Sequence, residues 1–513
     1  MVTKITLLLV FFGIMILVGL QSRKHATNVN DFVLGGRSVG PWLTAFAFGT
    51  SYFSSVVFIG YAGKFGWDFG LASTWIGLGN ALIGSLLAWM VLGRRTRVMT
   101  NHLQAATMPE FFGKRYESRA IKITASVIVF VFLIPYTASI YNGLSRLFGM
   151  AFDIPYEVCV IVMATLTAIY VILGGYMATA INDFIQGIVM LVGIAAVILS
   201  VLNGKGGFIE AIKSLSVFDS EAAATLGQHG AYTSFFGPDP LNLISVIVLT
   251  SLGTWGLPQM VHKFYTIKDE KSIRTGTIVS TVFAIIVAGG SYFLGGFARL
   301  FDGEAVRTIA ADGTSKIAYD NIIPHMLSTL PDILIGITVV LVLSASMSTL
   351  SSLVLTSSST LTLDFLKETC MKNMSNKKQL LIMRILVAFF VAISVILALD
   401  PPKFIAELMG ISWSALAGSF LAPFMYGLYW KKVTKASVWA SFAVGVGVTV
   451  SNLYLNFIPS SIVAGAFTMV LSLIIVPIVS LLTPKMAKAS VLDMFSCYTE
   501  TVIVSKKESL EDN

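Results

Sequence analysis

The sequence predicts an all-α integral membrane protein with thirteen transmembrane helices, and three observations carry that fold class. Hydrophobic residues make up 55% of the 513 residues and charged residues only 12%, with a mean hydropathy of +0.81. Soluble domains carry about 25% charged residues. The apolar residues fall in runs of about 20, the length that a bilayer core of about 30 Å requires of a helix. The 35 Lys and Arg form short clusters between those runs. That pattern is a topology signal; nucleic-acid binding would need a continuous basic patch. A soluble enzyme is thereby excluded.

Dividing the chain at charged or Gly/Pro-rich breaks places spans near residues 4–21, 41–66, 71–93, 121–148, 156–175, 183–202, 241–261, 276–298, 332–360, 380–399, 404–430, 434–455 and 460–483. The first is read as a retained helix, because one Lys precedes it, QSRKH follows it, and no small-residue cleavage site is present. With the amino terminus outside, the inner segments hold 26 of the 35 Lys and Arg. The positive-inside rule therefore orients the chain amino terminus out and carboxyl terminus in, in a plasma membrane such as a bacterial inner membrane. Residues 1–40 form the first helix and a cytoplasmic loop, 41–202 spans two to six, and 203–240 an outer loop. Residues 241–430 hold spans seven to eleven, 431–484 the last two, and 485–513 a cytoplasmic tail ending KKESLEDN. No segment is long enough for a separate catalytic domain. Cys159, Cys370 and Cys497 are too scattered for a disulfide framework or a metal set.

Two spans carry interruptions. A membrane helix can unwind only where its freed backbone groups line a cavity or meet protein, so breaks inside spans mark candidate sites. The second span reads AFAFGTSYFSSVVFIG, with Gly49, Thr50, Ser51, Ser54 and Ser55 at mid-depth. The seventh reads VLTSLGTWGLPQMV, with Gly253, Gly256 and Pro258. These spans cross in opposite directions and each begins a run of five helices, the signature of an inverted repeat whose sites lie near the bilayer midplane.

The ninth span, SASMSTLSSLVLTSSSTLTLDF, crowds hydroxyls from Ser344 to Thr362. Most such hydroxyls bond their own helix or a neighbour. Ala345, Ser348 and Thr349, however, stand at i, i+3 and i+4 on one face, where a carbonyl and two hydroxyls can converge on a small cation. Carboxylates such as Glu157, Asp183 and Glu407 lie at or near span ends, so a cation at mid-depth must rely on neutral oxygens. Sodium tolerates that; calcium or zinc normally demands carboxylate, imidazole or thiolate ligands. The five histidines (His25, His102, His229, His262 and His325) fall in loops or at helix ends, which argues against proton relay and metal binding.

Four motifs in order, DFVLGGRSVGPWLTAFAFGTSYFSS, INDFIQG at 181–187, GLPQMVHKF at 256–264 and MSTLSSLVLTSSS at 347–359, resemble the sodium:solute symporter family across essentially the whole chain. The resemblance implies a LeuT-type fold, with a 5+5 inverted repeat made of spans two to six and seven to eleven. It also implies a sodium site between the second and ninth spans. Thr50, Phe53 and Ala345 would supply backbone carbonyls, and Ser348 and Thr349 hydroxyls. Asp183 matches an aspartate that the family uses near the inner gate or a further sodium position; a helix-capping role competes with that reading.

Proline-type members of the family have an aspartate where this chain has Tyr52, and aromatic residues where it has Thr250 and Thr254. Tyr136 does match a tyrosine of the proline type. The GLP of the seventh span, FIGYAG of the second, and Pro401 and Pro402 are similar to pantothenate-type members. A small carboxylate-bearing solute (pantothenate-like, an amino acid or a monocarboxylate) is expected, because a helix break offers unpaired N–H groups and a positive half-helix end. Ser51, Tyr52, Tyr136, Trp255 and Gln259 are the candidate solute contacts.

The function expected is therefore sodium-coupled symport by alternating access, in a chain acting as a monomer, with no organic cofactor and no nucleic acid partner. Rival classes lack their signatures: a channel its polar path or ring of charges, a membrane-embedded enzyme its nucleophile or metal set. Proton coupling, or a non-transporting sensor of the same fold, stands as the alternative.

Overall fold

The computed structural model describes residues 2–23, 27–220, 225, 227–309, 314–400, 404–458 and 460–499. His25, Pro401, Pro402 and the KKESLEDN tail lie outside the described residues. Helices dominate: α1 (Val2–Ser22), α2 (Pro41–Tyr52), α3 (Val56–His102), α4 (Arg119–Phe152), α5 (Tyr156–Asn203), α6 (Pro240–Gly256), α7 (Pro258–Tyr265), α8 (Lys271–Gly295), α9 (Asp332–Thr369), α10 (Asn376–Leu399), α11 (Ile405–Tyr429), α12 (Lys435–Leu455) and α13 (Ser461–Leu482).

Local chemistry places many of their starts. Ser118, Ser375, Thr434 and Ser460 cap α4, α10, α12 and α13 by accepting a hydrogen bond from a backbone N–H of the first turn. Asp239 does the same for α6, with Pro240 in the first helical position.

Among the described residues, ten helices are long and apolar enough to cross a membrane, or eleven with the bent pair α6 and α7 taken as one span. The difference from the thirteen expected spans has a physical cause. The second expected span is cut at Phe53, and its outer part runs on through a tight glycine break at Gly70 (φ 60°) into the third, giving α3. The fifth and sixth are continuous in α5 apart from a kink at Gly175 (φ 55°, ψ −148°); a Cβ there would lie 2.7 Å from the Phe32 ring. Neither outer loop is unstructured. Phe208–Ser216 is helical, as is Tyr319–Ser328, and Arg307–Ile309 pairs antiparallel with Ser315–Ile317.

The bundle is graded from centre to lipid. In α11, 94% of the apolar window is buried and in α9 78%, against 22% in α1 and 33% in α10 and α12. Packing partners repeat between the two five-span groups. The second span (α2) packs on the eighth (α8), and the seventh (α6) on the third, within α3. Likewise α2 packs on α5 as α6 packs on α11, and α4 packs on α11 as α9 packs on α5. Exchanging the groups maps each pair onto its counterpart.

Candidate functional site

The break between α2 and α3 is where sequence and structure meet. Phe53 leaves the helical region (φ −93°, ψ 127°), and its N–H turns back to the Thr50 carbonyl at 3.2 Å. The groups freed there are satisfied largely by α9. Thr349 Oγ1 donates to the Phe53 carbonyl at 3.0 Å and lies 3.2 Å from the Ala345 carbonyl; the Ser55 N–H donates to Ser346 Oγ at 3.2 Å. Ser348 Oγ donates to Thr50 Oγ1 at 2.8 Å, and Thr50 Oγ1 donates to the Phe46 carbonyl at 2.7 Å. Thr50, Phe53, Ala345, Ser348 and Thr349 are all fully buried and stand together. Each oxygen in this cluster is neutral.

The second break is equally local. Leu257 takes an extended conformation (φ −82°, ψ 123°), Pro258 opens α7, and α6 and α7 meet at 45°. Gly256 has no room for a side chain: a Cβ would lie 2.8 Å from Leu421 N and 2.9 Å from Ala417 Cα on α11. The break is therefore held by close backbone packing.

Between the two breaks lies a small central cavity of about 10 Å³, lined by Tyr52, Asn80, Ser85, Thr254, Met260 and Ser280 among others. It is smaller than the roughly 300–1,000 Å³ of ordinary ligand pockets. Asn80 and Ser85 sit on a π-helical stretch of α3 (80–87), a distortion common at functional sites. Ser85 Oγ pairs with Ser280 Oγ at 2.9 Å, and Thr254 Oγ1 donates to the Gly84 carbonyl at 3.0 Å. Two buried polar groups of this lining, the Tyr52 hydroxyl and Asn80 Nδ2, have no hydrogen-bond partner, and the Tyr292 hydroxyl behind them, beside both, has none either. All three can donate.

Of the five candidate solute contacts, only Tyr52 lines this cavity. Ser51 turns to α9, its Oγ 2.9 Å from Ser352 Oγ. Trp255 Nε1 donates to the Ile83 carbonyl at 2.9 Å and braces α6 on α3. Tyr136 packs edge-on to Trp413 of α11, which also meets Tyr52, the ring centroids 6.0 and 6.1 Å away. Gln259 is buried in the first turn of α7 with both amide atoms unpartnered.

Asp183 is neither at a span end nor a helix cap. Its carboxylate is fully buried within α5, and Lys263 Nζ of α7 stands 3.6 Å from Oδ2. Lys263 lies just past the expected end of the seventh span at 261, yet its side chain is only 2% exposed. Asp364, inside α9, is a second fully buried carboxylate; Thr107 Oγ1 donates to it at 2.5 Å. His262 is likewise buried in α7, against Tyr176 and Tyr265, while His229 pairs with Asp219 in the outer loop. The missed residues share one weak signal, a polar or charged side chain in an otherwise apolar stretch, as in GLGNALIGS. Spacing alone does not show which neighbour it faces.

Comparison with known proteins adds the family. Residues 32–445 match the model of the sodium:solute symporter family. The chain is 28% identical over 488 residues to the osmoregulated proline transporter OpuE of Bacillus subtilis, covering 94% of this chain and 95% of that one. It is 30% identical over 458 residues to a sodium/proline symporter of Staphylococcus aureus, covering 86% and 84%. Among solved structures it superposes on a Na⁺-coupled sialic acid symporter in a substrate-bound outward-open state, with a TM-score of 0.73, 16% identity, and 94% and 98% of the chains covered. Mhp1, a nucleobase-cation-symport-1 family transporter in a closed conformation, gives a TM-score of 0.50 at 13% identity, covering 90% and 97%.

Proposed function

The chain belongs to the sodium:solute symporter family, and from that premise we propose that it imports a small carboxylate-bearing organic solute together with sodium by alternating access. The observation that carries this reading is the convergence of Thr50, Phe53, Ala345, Ser348 and Thr349 where α2 breaks against α9. These oxygens hydrogen-bond one another. A small rotation of the Ser348 and Thr349 hydroxyls turns their lone pairs, and the carbonyls they now cover, towards one monovalent cation. Sodium held there pins α2 to α9 and favours the conformation that receives solute. Coupling follows if sodium binds the two conformations with different affinity.

The solute belongs in the central cavity. Tyr52 and Asn80 offer unpartnered donors to it, with the Tyr292 hydroxyl beside both, chemistry suited to a carboxylate. Trp413, against Tyr52 and Tyr136, covers it from α11. Ser51, Tyr136, Trp255 and Gln259 then shape the walls and hold the breaks. The repeated packing partners support the LeuT-type 5+5 repeat, and the Lys and Arg distribution supports an outer amino terminus and an inner carboxyl terminus. The proline transporters among the relatives make proline a solute to try, whereas Tyr52, where proline-type members have an aspartate, argues against simple proline transport.

The test is uptake into proteoliposomes of labelled proline, pantothenate and short monocarboxylates, with and without an inward sodium gradient. Sodium-dependent accumulation of one compound is expected. Accumulation driven equally by a proton gradient without sodium would instead assign the coupling role to a buried carboxylate such as Asp183.

A further inference from the structure

The seam between α3 and α8 ends in a basic pocket. Along the seam Ser85 Oγ meets Ser280 Oγ, Gly276 packs on the Trp89 ring, and Gly93 packs on Ile273. Just beyond Gly93 lies a pocket of about 310 Å³, lined by Arg94, Arg97, Asn101, Lys268, Asp269 and Cys497 among others. Cys497 comes from just past the helix Lys488–Ser496, so three separate segments wall it. The Lys and Arg distribution assigns this end of the seam to the cytoplasm.

The charge of the pocket is one-sided. Arg94, Arg97 and Asn101 stand at i, i+3 and i+7 on one face of α3. Arg97 Nε donates to the Ile267 carbonyl, which holds that guanidinium in the wall. Asp269 is the one carboxylate among the described lining residues, and it is already engaged: its Oδ1 accepts from the Ser272 N–H at 2.8 Å and from the Ser272 hydroxyl at 2.7 Å. Three cations therefore share the pocket with one occupied carboxylate, and two of them are guanidiniums, whose planar fork matches the oxygens of a phosphate.

Towards the bilayer the adjoining surface is apolar. Met90 and Leu87 lie one and two turns before Arg94 on the same face of α3, and both are exposed; Ile278 and Val282 of α8 are exposed as well. A phosphate held by the arginines has apolar helix surface directly alongside it. A phospholipid covers that surface with its acyl chains, and a water-soluble phosphate does not.

We propose that this pocket binds the phosphate of an anionic phospholipid of the inner leaflet, with an acyl chain laid along Met90 and Leu87. The inference is independent of the sodium and solute sites. It gives the lipid a structural consequence: α3 carries spans of the first five-span group and α8 belongs to the second, so a headgroup held by Arg97 and Lys268 ties the two groups together at their inner end.

The experiment measures saturation binding of radiolabelled phosphatidylglycerol to the purified full-length chain in a neutral detergent. Wild type is expected to bind it saturably and more tightly than phosphatidylcholine, with no displacement by inorganic phosphate in large excess. Arg97→Gln/Lys268→Gln should weaken binding at least about tenfold, since each cation near an anionic membrane surface contributes roughly fivefold. Lys271→Gln/Arg274→Gln removes the same charge from exposed positions of α8 outside the lining and should bind as wild type does. Equal weakening in both variants would show general attraction to positive charge and overturn the inference, as would wild-type affinity in the pocket variant. Phosphatidylcholine bound as tightly also overturns it, and so does displacement by inorganic phosphate, which would assign the pocket to a soluble anion. Should the pocket variant fail to fold, Lys268→Gln alone, at an exposed position, decides: binding about fivefold weaker upholds the site and wild-type affinity overturns it.

Discussion

Thr349 is a single hydroxyl placed against two carbonyls that the α2 break and the α9 helix present to it. Replacing it with Val keeps the shape and removes the oxygen. Sodium activation of uptake is expected to weaken at least about tenfold, equivalent to about 1.4 kcal/mol, read from initial rates against sodium concentration. Asn80 separates the other half of the site. Asn80→Leu removes an unpartnered donor from the central cavity, so the solute concentration for half-maximal uptake rises at least about tenfold while sodium binding in the absence of solute stays as in wild type. Equal loss of both would show that Asn80 supports the fold and does not contact solute.

Asp320 gives a pH signature outside the spans. It is buried in the helix Tyr319–Ser328, and burial pushes its carboxyl up to about 6; the Ile405 N–H, 3.3 Å from Oδ2, and the Arg146 charge pull it partly back. The folded chain holds this proton more tightly than the unfolded chain, whose carboxyl has the ordinary value of 3.8. Between about pH 4 and 6 the native state therefore carries more protons than the unfolded state, so stability falls as pH rises through that window and is level above it, by at most about 3 kcal/mol. Asp320→Asn should flatten the thermal midpoint across pH 4 to 6. An unchanged slope would assign it to other groups.

At the scale of elements, the tightest contact between α3 and α8 is between backbones. A Cβ on Gly66 of α3 would lie 1.9 Å from the Gly295 carbonyl oxygen of α8, and one on Gly295 would lie 2.2 Å from the Ala62 carbonyl oxygen. Backbone cannot swing aside as a flexible side chain can. Gly66→Ala is expected to cost about 3 kcal/mol or more, the upper end of overpacking, and to lower the thermal midpoint in detergent. Gly447→Ala of α12, with nothing within 4 Å of its Cβ, should be close to neutral and serves as the control. Both breaks were readable from composition, because Gly, Ser and Pro in the middle of an apolar run have few other uses. That α3 runs through two expected spans, and α5 through two more, was not readable. The decisive residues, Gly70 and Gly175, sit in short segments whose path depends on what they pack against.

For the whole molecule, the exchange of packing partners between the two five-span groups accounts for placing one break beside α9 and the other beside α11. Charge balance across the groups is also shared. Asp183 belongs to the first and Lys263 to the second, and a buried ion pair that loses one partner typically costs about 3–5 kcal/mol. In sodium-free detergent, Lys263→Ala should therefore unfold at a lower temperature than Lys263→Ala/Asp183→Asn, although the double variant removes more groups. Topology has its own check. Cys370 is exposed while Cys159 is buried, so a membrane-impermeant thiol reagent should label Cys370 in inside-out vesicles and leave it unlabelled in right-side-out vesicles; the reverse pattern would invert the orientation.

By itself the sequence determined the class, the membrane, the positions of both breaks and the neutral oxygens of α9, because each is written in local composition and helical spacing. Only the tertiary structure decided that Ser51 faces α9, that Asn80 joins Tyr52 at the cavity, and that Lys263 reaches Asp183. The physical reason is the same for all of them. Periodicity states which face of a helix a residue occupies, whereas the neighbour on that face comes from another helix up to hundreds of residues away, set by how close the glycines let the backbones approach.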